Sequence, residues 1–297
     1  MKHFINLGNF TNIELRNILN NAKKIKSSPL KFSKSMANKS LGMIFEKPST
    51  RTRVSFDIGM KKMGGNIIEL DMNSIGFGTR ESESDIIKVL SKYIDCLLIR
   101  NDNHKLIEYL ANLNYLPLIN GLSDYSHPCQ ILSDIFTIEE YKGAINKQSI
   151  AWVGDINNVS ISLLEAAKIL KFKLNIVSPK SIIKKNNIIV KKFKSKDIQF
   201  FDDPNKGISN ADCIMTDVWI SMGQKNSKKK LGLFKNFQVN QKLVQNAKKN
   251  YIFMHCLPAH RNLEVTDSII DGKNSVVWSQ SQNRMYVQQS ILKYCIS

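Results

Sequence analysis

Residues 41–53 constrain this chain more than any other stretch. Leu41-Gly42-Met43-Ile44-Phe45 is a short apolar run of the kind that makes a buried parallel strand. Glu46-Lys47-Pro48-Ser49-Thr50-Arg51-Thr52-Arg53 follows it. Val54, Phe56, Ile58, Met60 and Met63 then recur at helical spacings. The hydroxyls and guanidiniums therefore fall where a strand turns into a helix. There the first backbone N–H groups lack intrahelical partners and the helix dipole is positive, so an anion such as phosphate can fill the site. Ser49, Thr50 and Thr52 add hydroxyl donors, and Arg51 or Arg53 adds a planar two-pronged donor that fits phosphate oxygens. No Gly-x-x-x-x-Gly-Lys pattern is present, so this is not a P-loop. Three hydroxyls and two arginines within 49–53 exceed what a helix cap needs.

The remaining pattern extends this unit into a sheet. Thr11-Asn12-Ile13-Glu14 is a capping box, and Leu15, Ile18, Leu19, Ala22 and Ile25 continue it as an amphipathic helix. Strands are expected at 67–70, 96–99 and 116–119, separated by a loop at 71–81 and by helices around Ile86 to Leu90 and Leu106 to Leu113. A long helix is expected from His127 to Tyr141, and the alternation then restarts. Further strands are expected at 150–153, 174–177, 198–201, 213–215, 252–254 and 276–278, with a last helix at about 283–296. Strands alternating with helices imply parallel sheets with right-handed crossovers. The expected fold is α/β, with two doubly wound parallel-sheet domains and an interdomain cleft. Residues 1–140 form the first domain and 141–282 the second, and the helix at 283–297 packs back on the first.

Ligands of such sheets bind beyond the carboxyl ends of the strands. Polar clusters fall at those ends: Ser49 to Arg53, Arg100, Asn120 to His127, Gly154 to Asn158, Asp217 to Gly223 and His255 to Pro258. His127-Pro128-Cys129-Gln130 opens a helix and offers a His donor to a carbonyl oxygen, with Gln130 fixing an amide one turn later. Asp217 can pair with a substrate ammonium, and Ser221-Met222-Gly223 can close over a ligand. His255 and Cys256 are not expected to bind metal, because neighbours on a strand point to opposite faces. Cys256 as a covalent nucleophile lacks an evident His-plus-carboxylate pairing. Gly154-Asp155-Ile156-Asn157-Asn158 resembles the start of a dinucleotide fingerprint but lacks Gly-x-Gly-x-x-Gly, so NAD binding is weakly supported.

Composition excludes several classes. Five widely spaced cysteines without Cys-x-x-Cys argue against a disulfide framework or zinc ribbon and for a reducing, cytoplasmic compartment. No apolar run approaches a membrane span, and the first residues lack a signal-like segment. The formal net charge of +18 raises a nucleic-acid partner as one alternative. Its lysines are scattered in pairs and triplets without interleaved aromatics, so solvated faces are expected and no nucleic acid. The field still favours an anionic small substrate.

Taken together, Ser49-Thr50-Arg51-Thr52-Arg53 and His127-Pro128-Cys129-Gln130 resemble the carbamoyl-phosphate motifs of the transcarbamoylase family. Asp217-x-Trp219-x-Ser221-Met222-Gly223 and His255-Cys256-Leu257-Pro258 resemble its ornithine branch. The resemblance runs in order through nearly the whole chain. It implies transfer of a carbamoyl group from carbamoyl phosphate to the δ-amine of L-ornithine, a step of arginine biosynthesis or of a urea-type cycle. A related transcarbamoylase acting on another amine is the near alternative. The resemblance assigns Ser49, Thr50, Arg51 and Thr52 to the phosphate. Arg100, His127 and Thr52 would polarise the carbamoyl C=O. Gln130, Arg284 and the backbone of Cys256 and Leu257 would hold its amide. Asn158, Asp217, Ser221 and Met222 would hold ornithine, with Asp217 and Cys256 near the attacking amine. Arg100, His127, Asp217 and Cys256 are thus the catalytic candidates. The resemblance also implies a homotrimer or a multiple of one, with neither metal nor cofactor. Gly76 stands where the family usually has glutamine, so weak carbamoyl-phosphate affinity is expected, tightened by Gly76→Gln. Gln282 stands where an acidic residue is common, a change that nothing in the sequence explains.

Overall fold

The computed structural model describes residues 1–72, 75–220 and 228–296. Two compact α/β units result, one of Met1–Ser133 with Gln282–Ser297 and one of Asp134–Ser281. The first contains α1 (Asn12–Ser27), β1 (Ser40–Phe45), α2 (Thr50–Lys62), β2 (Asn66–Leu70), α3 (Glu83–Leu90), β3 (Cys96–Arg100), α4 (His104–Asn112) and β4 (Leu118–Leu122). After α5 (Pro128–Lys142) the second contains β5 (Ser149–Val153), α6 (Asn158–Leu170), β6 (Lys173–Val177), α7 (Lys180–Lys185), α8 (Asn187–Phe193) and β7 (Ile198–Phe201). It continues through α9 (Pro204–Gly207), β8 (Cys213–Thr216), α10 (Lys228–Phe234), α11 (Gln241–Val244), β9 (Ile252–His255) and α12 (Asp267–Ile270) to α13 (Val277–Ile296). The unit boundaries fall inside α5 and α13.

Every strand pairing is parallel. The first sheet has the order β2-β1-β3-β4 and the second β7-β6-β5-β8-β9. In the first, the chain steps outward from β1 to β2, then returns to the other side of β1 with β3. In the second, it steps outward from β5 through β6 to β7, then returns beside β5 with β8. Each reversal opens a crevice at the carboxyl ends of the two central strands, where α/β sheets bind ligands. The central strands hold their place by burial: Leu41, Met43 and Ile44 of β1, and Ile150 to Val153 of β5, are almost fully buried.

Local chemistry sets the helix ends. Thr11 caps α1 in a capping box with Glu14, and the predicted stripe of Leu15, Ile18, Leu19, Ala22 and Ile25 is buried. The C-terminal part of α13 is tied to α1 and α2. Ser290 Oγ donates to the Ile18 carbonyl at 2.7 Å, and Gln289 Nε2 to the Gly59 carbonyl at 3.0 Å. Gly59 permits that approach, since a Cβ there would lie 3.3 Å from Gln289 Cγ.

Two expected strands change. The run at 276–278 is not a strand: Val276 donates to the Phe253 carbonyl at 3.0 Å, and α13 begins at the next residue. Its β-branched and aromatic side chains carry strand propensity, but a backbone bridge of two bonds exhausts the pairing before the helix takes over. The fourth strand is Leu118–Leu122, so Asn120 and Gly121 lie inside it and not after it. Pro117 precedes the strand and contributes its carbonyl, which accepts from Leu97 at 2.9 Å. Among the described residues no helix is long and apolar enough to cross a membrane.

Gly64 terminates α2 at φ +82°, and a Cβ there would lie 2.7 Å from the Ser33 carbonyl oxygen. Gly64→Ala is therefore expected to cost about 1–3 kcal/mol in urea unfolding, because both the left-handed backbone and the contact oppose it.

Candidate active site

In the first unit, the β1–α2 turn and the end of β3 border the crevice. Ser49 precedes α2 in extended conformation, and its side chain does not cap the helix. Instead Arg100 Nη1 donates to Ser49 Oγ at 2.8 Å. Glu46 Oε2 accepts the Asp102 N–H at 2.9 Å, and Lys47 pairs with Asp102, so the turns after β1 and β3 are pinned together. Arg284 on α13 donates to Thr52 Oγ1 at 2.9 Å, with both side chains buried. Arg53 is committed elsewhere: it pairs with Glu69 at 2.8 Å, and its guanidinium lies 5.1 Å from the Phe45 ring centre. Arg51, by contrast, acts electrostatically on both Arg100 and His127.

His127 and Gln130, at the start of α5, are both buried. Burial holds the His127 pKa well below its usual value, reinforced by Arg284, Arg100 and Arg51 in that order. Each charge acting on the imidazole is thus a guanidinium. The Arg100 pKa is lowered as well, first by burial and then by Arg51, with Asp102 opposing. Three guanidiniums around a neutral imidazole, beside the positive end of α2, form a site that demands an anion and can polarise a carbonyl. Cys129 is not a reactive thiol: burial pushes its pKa up to about 12, and its Sγ lies 3.5 Å from the Asn120 carbonyl oxygen.

In the second unit, Asp217 follows β8 and is buried. Its Oδ2 accepts from Asn157 Nδ2 at 3.0 Å, and its Oδ1 accepts from Cys256 Sγ at 2.9 Å. Asn157 caps α6, accepting the Val159 and Ser160 N–H groups at 3.1 Å each. Asn158, the expected ligand, is the next residue, and its Oδ1 accepts the Val159 N–H at 3.0 Å. Asn157 was legible as a cap from the Ser three residues on, but not as the partner of Asp217. Lys230 pairs with Asp155 at 2.7 Å, and Trp219 stacks on Phe234 with ring centres 5.5 Å apart. Ser221 and Met222, with Gly223, lie outside the described residues.

Asp217, His255 and Cys256 have ligand atoms within 4.8 Å of one another, a spacing that could hold a metal ion. The opposite-faces argument therefore fails: Cys256 lies just beyond β9, where the strand alternation has ended. A different observation speaks against His255 as a ligand. Its Nδ1 accepts the Leu257 N–H at 2.9 Å, so Nε2 carries the proton and faces Glu264 Oε1 at 3.2 Å. Glu264, which sequence reasoning missed, also accepts the His260 N–H at 2.6 Å. Leu257 itself sits at φ +56° before a cis peptide to Pro258.

Gly76 sits at φ +63°, and its carbonyl accepts from Thr79 and Arg80 at 3.1 Å each. A Cβ there would lie 2.7 Å from Arg80 Cβ. A glutamine would strain this turn before its amide reached anything, so Gly76→Gln is not expected to tighten binding.

Residues 2–140 match the family model for the aspartate/ornithine carbamoyltransferase carbamoyl-P binding domain, and 146–295 match the one for the Asp/Orn binding domain. The ornithine carbamoyltransferase of Brucella suis is 44% identical over 299 residues, covering 100% of this chain and 96% of the relative. The solved ornithine carbamoyltransferase of Pyrococcus furiosus is 41% identical with a TM-score of 0.89, covering 98% of this chain and 96% of that one. That of Burkholderia thailandensis is 34% identical with a TM-score of 0.90, covering 100% and 99%.

Because the fold keeps His127 neutral while the unfolded chain protonates it near the ordinary histidine pKa of about 6.5, stability must fall as pH drops below that value. Between pH 6.5 and 5.5, His127→Asn is expected to remove about 1 kcal/mol of that loss, read by urea unfolding at both pH values.

Proposed function

This chain belongs to the aspartate/ornithine carbamoyltransferase family, and from that premise we propose that it transfers the carbamoyl group of carbamoyl phosphate to the δ-amine of L-ornithine. The products are L-citrulline and phosphate. It is an enzyme of the carbamoyltransferase class. The observation that carries the reading is the guanidinium cluster of Arg51, Arg100 and Arg284 around neutral His127.

The phosphate docks on Ser49, Thr50, Arg51 and Thr52 at the start of α2. Arg100 and His127 donate to the carbamoyl oxygen, where negative charge grows as the amine attacks. Gln130 holds the carbamoyl amide, a task assigned jointly to Arg284 and the Cys256 and Leu257 backbone. Ornithine is assigned to Asn158, Asp217, Ser221 and Met222. Its δ-nitrogen must be neutral to attack. The new C–N bond forms, the C–O bond to phosphorus breaks, and the electron pair leaves on phosphate while the amine sheds one proton. Cys256 donates its hydrogen to Asp217, which supports a lining role and not that of a thiolate nucleophile. Positioning and fixed electrostatics supply the acceleration.

Five cysteines without a disulfide support a reducing, cytoplasmic compartment, and citrulline made there would serve arginine synthesis. A homotrimer, or a multiple of one, is supported by the first unit's edge. There β2 exposes Ile68 at 45%, and the neighbouring α2 exposes Val54 at 52% and Ile58 at 39%. Apolar side chains beside an unpaired edge strand mark an association surface.

A citrulline assay offering ornithine, acetylornithine, putrescine and aspartate tests the reading, and only ornithine should be turned over well. Arg100→Ala should lower kcat by about 10²–10³-fold; an unchanged rate would refute the assignment. Light scattering should give three chain masses or a multiple, and Ile68→Glu should shift the protein toward smaller species.

A further inference from the structure

One polar cluster in the first unit lies behind the site and has no part in the chemistry above. His104, at the start of α4, is buried. Its Nδ1 lies 2.7 Å from Ser123 Oγ, the shortest contact either group makes to the other's loop. Ser123 and Ser126 close a tight turn: Ser123 N–H donates to the Ser126 carbonyl at 2.9 Å, and Ser126 N–H donates to Ser123 Oγ at 3.1 Å. The next residue is His127.

The proton on Ser123 can be placed by distance. Ser123 Oγ accepts from Ser126 N–H at 3.1 Å, while Asn120 Nδ2, 3.3 Å away, already gives one of its two hydrogens to the Ile5 carbonyl at 2.9 Å. Its own O–H has two acceptors in reach, the Ser126 carbonyl at 3.3 Å and His104 Nδ1 at 2.7 Å. The Ser126 carbonyl also accepts from Asn120 Nδ2 at 3.4 Å. The shorter, less crowded contact takes the proton. His104 Nδ1 is then an acceptor, and the ring carries its hydrogen on Nε2, 3.4 Å from Glu108 Oε1.

We propose that His104, as a neutral imidazole protonated on Nε2, is a positioning residue that holds the Ser123–Ser126 turn and thereby sets the place of His127. The proposal rests on the role given to His127 above. Protonation of His104 would put an N–H where Nδ1 now accepts the Ser123 O–H, so that hydroxyl would lose its acceptor and the turn would have to give. The charged and titratable groups facing the ring are Glu108 on its own helix and, from the loop after β4, Asp124 and Tyr125. Asp124 Oδ1 accepts the His104 N–H at 3.3 Å, and the Tyr125 ring centre is 5.0 Å away. Both carboxylates favour the charged ring, but burial outweighs them and lowers the pKa.

Two variants test this in the full chain. His104→Asn keeps an uncharged acceptor near the Nδ1 position; His104→Leu removes it. At pH 8, His104→Leu should lose about 10-fold or more in kcat for citrulline formation with little change in KM for carbamoyl phosphate, as expected for a misplaced donor. His104→Asn should retain most of the rate at that pH. The ratio of its kcat to that of the natural protein, which cancels the titration of the substrates themselves, should rise as pH falls toward the lowered pKa of the buried ring. A wild-type kcat in His104→Leu, or a flat ratio in His104→Asn, overturns the proposal. Should either variant fail to fold, ¹⁵N–¹H spectra of the histidine rings in the natural protein decide. A neutral, Nε2-protonated His104 at pH 7.5 supports it, and a Nδ1-protonated or charged ring refutes it. If the natural protein makes no citrulline, the functional reading falls, while the ring spectra still test the state of His104.

Discussion

Like charges gathered at one point are the constraint that shapes the first unit. Arg51, Arg100 and Arg284 all act on His127, and Arg51 also lowers the Arg100 pKa. Without a bound anion that arrangement is repulsive, so other interactions must hold it. Each guanidinium is tethered from a different element: Arg100 from the end of β3 to Ser49, Arg284 from α13 to Thr52, and Arg51 by its place in α2. The packing of α13 on α1 and α2 thus has a chemical purpose, since it brings a residue from the end of the chain to the turn after β1. Arg53 shows the complementary device. Glu69 and Phe45 draw it away, which keeps a fourth guanidinium from adding to the repulsion.

The second unit presents the opposite sign. Asp217 is a buried carboxylate whose oxygens each accept a hydrogen bond, from Asn157 and from Cys256. Both donors are neutral, so the negative charge is solvated and not cancelled. A cationic or amine ligand still has a full charge to meet. The neighbouring His255 and Glu264 are occupied with backbone, one with Leu257 and the other with His260, and shape the loop after β9. One unit is therefore built to receive an anion and the other an amino acid, which is the division of labour a carbamoyl transfer needs.

How much of this could be read from residues alone depended on the range of the interaction. The alternation of strands and helices was legible because periodicity is local, and so was the Thr11 capping box. The polar clusters at strand ends followed from the α/β rule. What escaped were contacts set by register and by loops. Residues 276–278 have strand composition, yet only a backbone bridge to Phe253 awaits them. Asn157 and Asn158 are chemically identical neighbours, and only the cap geometry shows which one reaches Asp217. His255 and Cys256 were judged by strand alternation, which does not extend past the end of β9. The strain at Gly76 depends on a left-handed backbone that composition does not reveal.

The two sheets explain why residues far apart in sequence gather at one end of each unit. In each, the order of strands reverses once, and the reversal leaves two strand ends with no crossover helix between them. Backbone N–H groups and side chains there are exposed to a ligand while the strands below are held by buried aliphatic contacts. A polar side chain placed at any other strand end would face a helix and need a partner within the protein. At the reversal its partner can be substrate. Arginines are thus tolerated beside β1 and β3, and aspartates beside β5 and β8, because the topology supplies a place where their unmet polar demand is useful. In the buried Ser123–His104 cluster behind β4, polar groups pair with one another, and in doing so they hold the turn that carries His127.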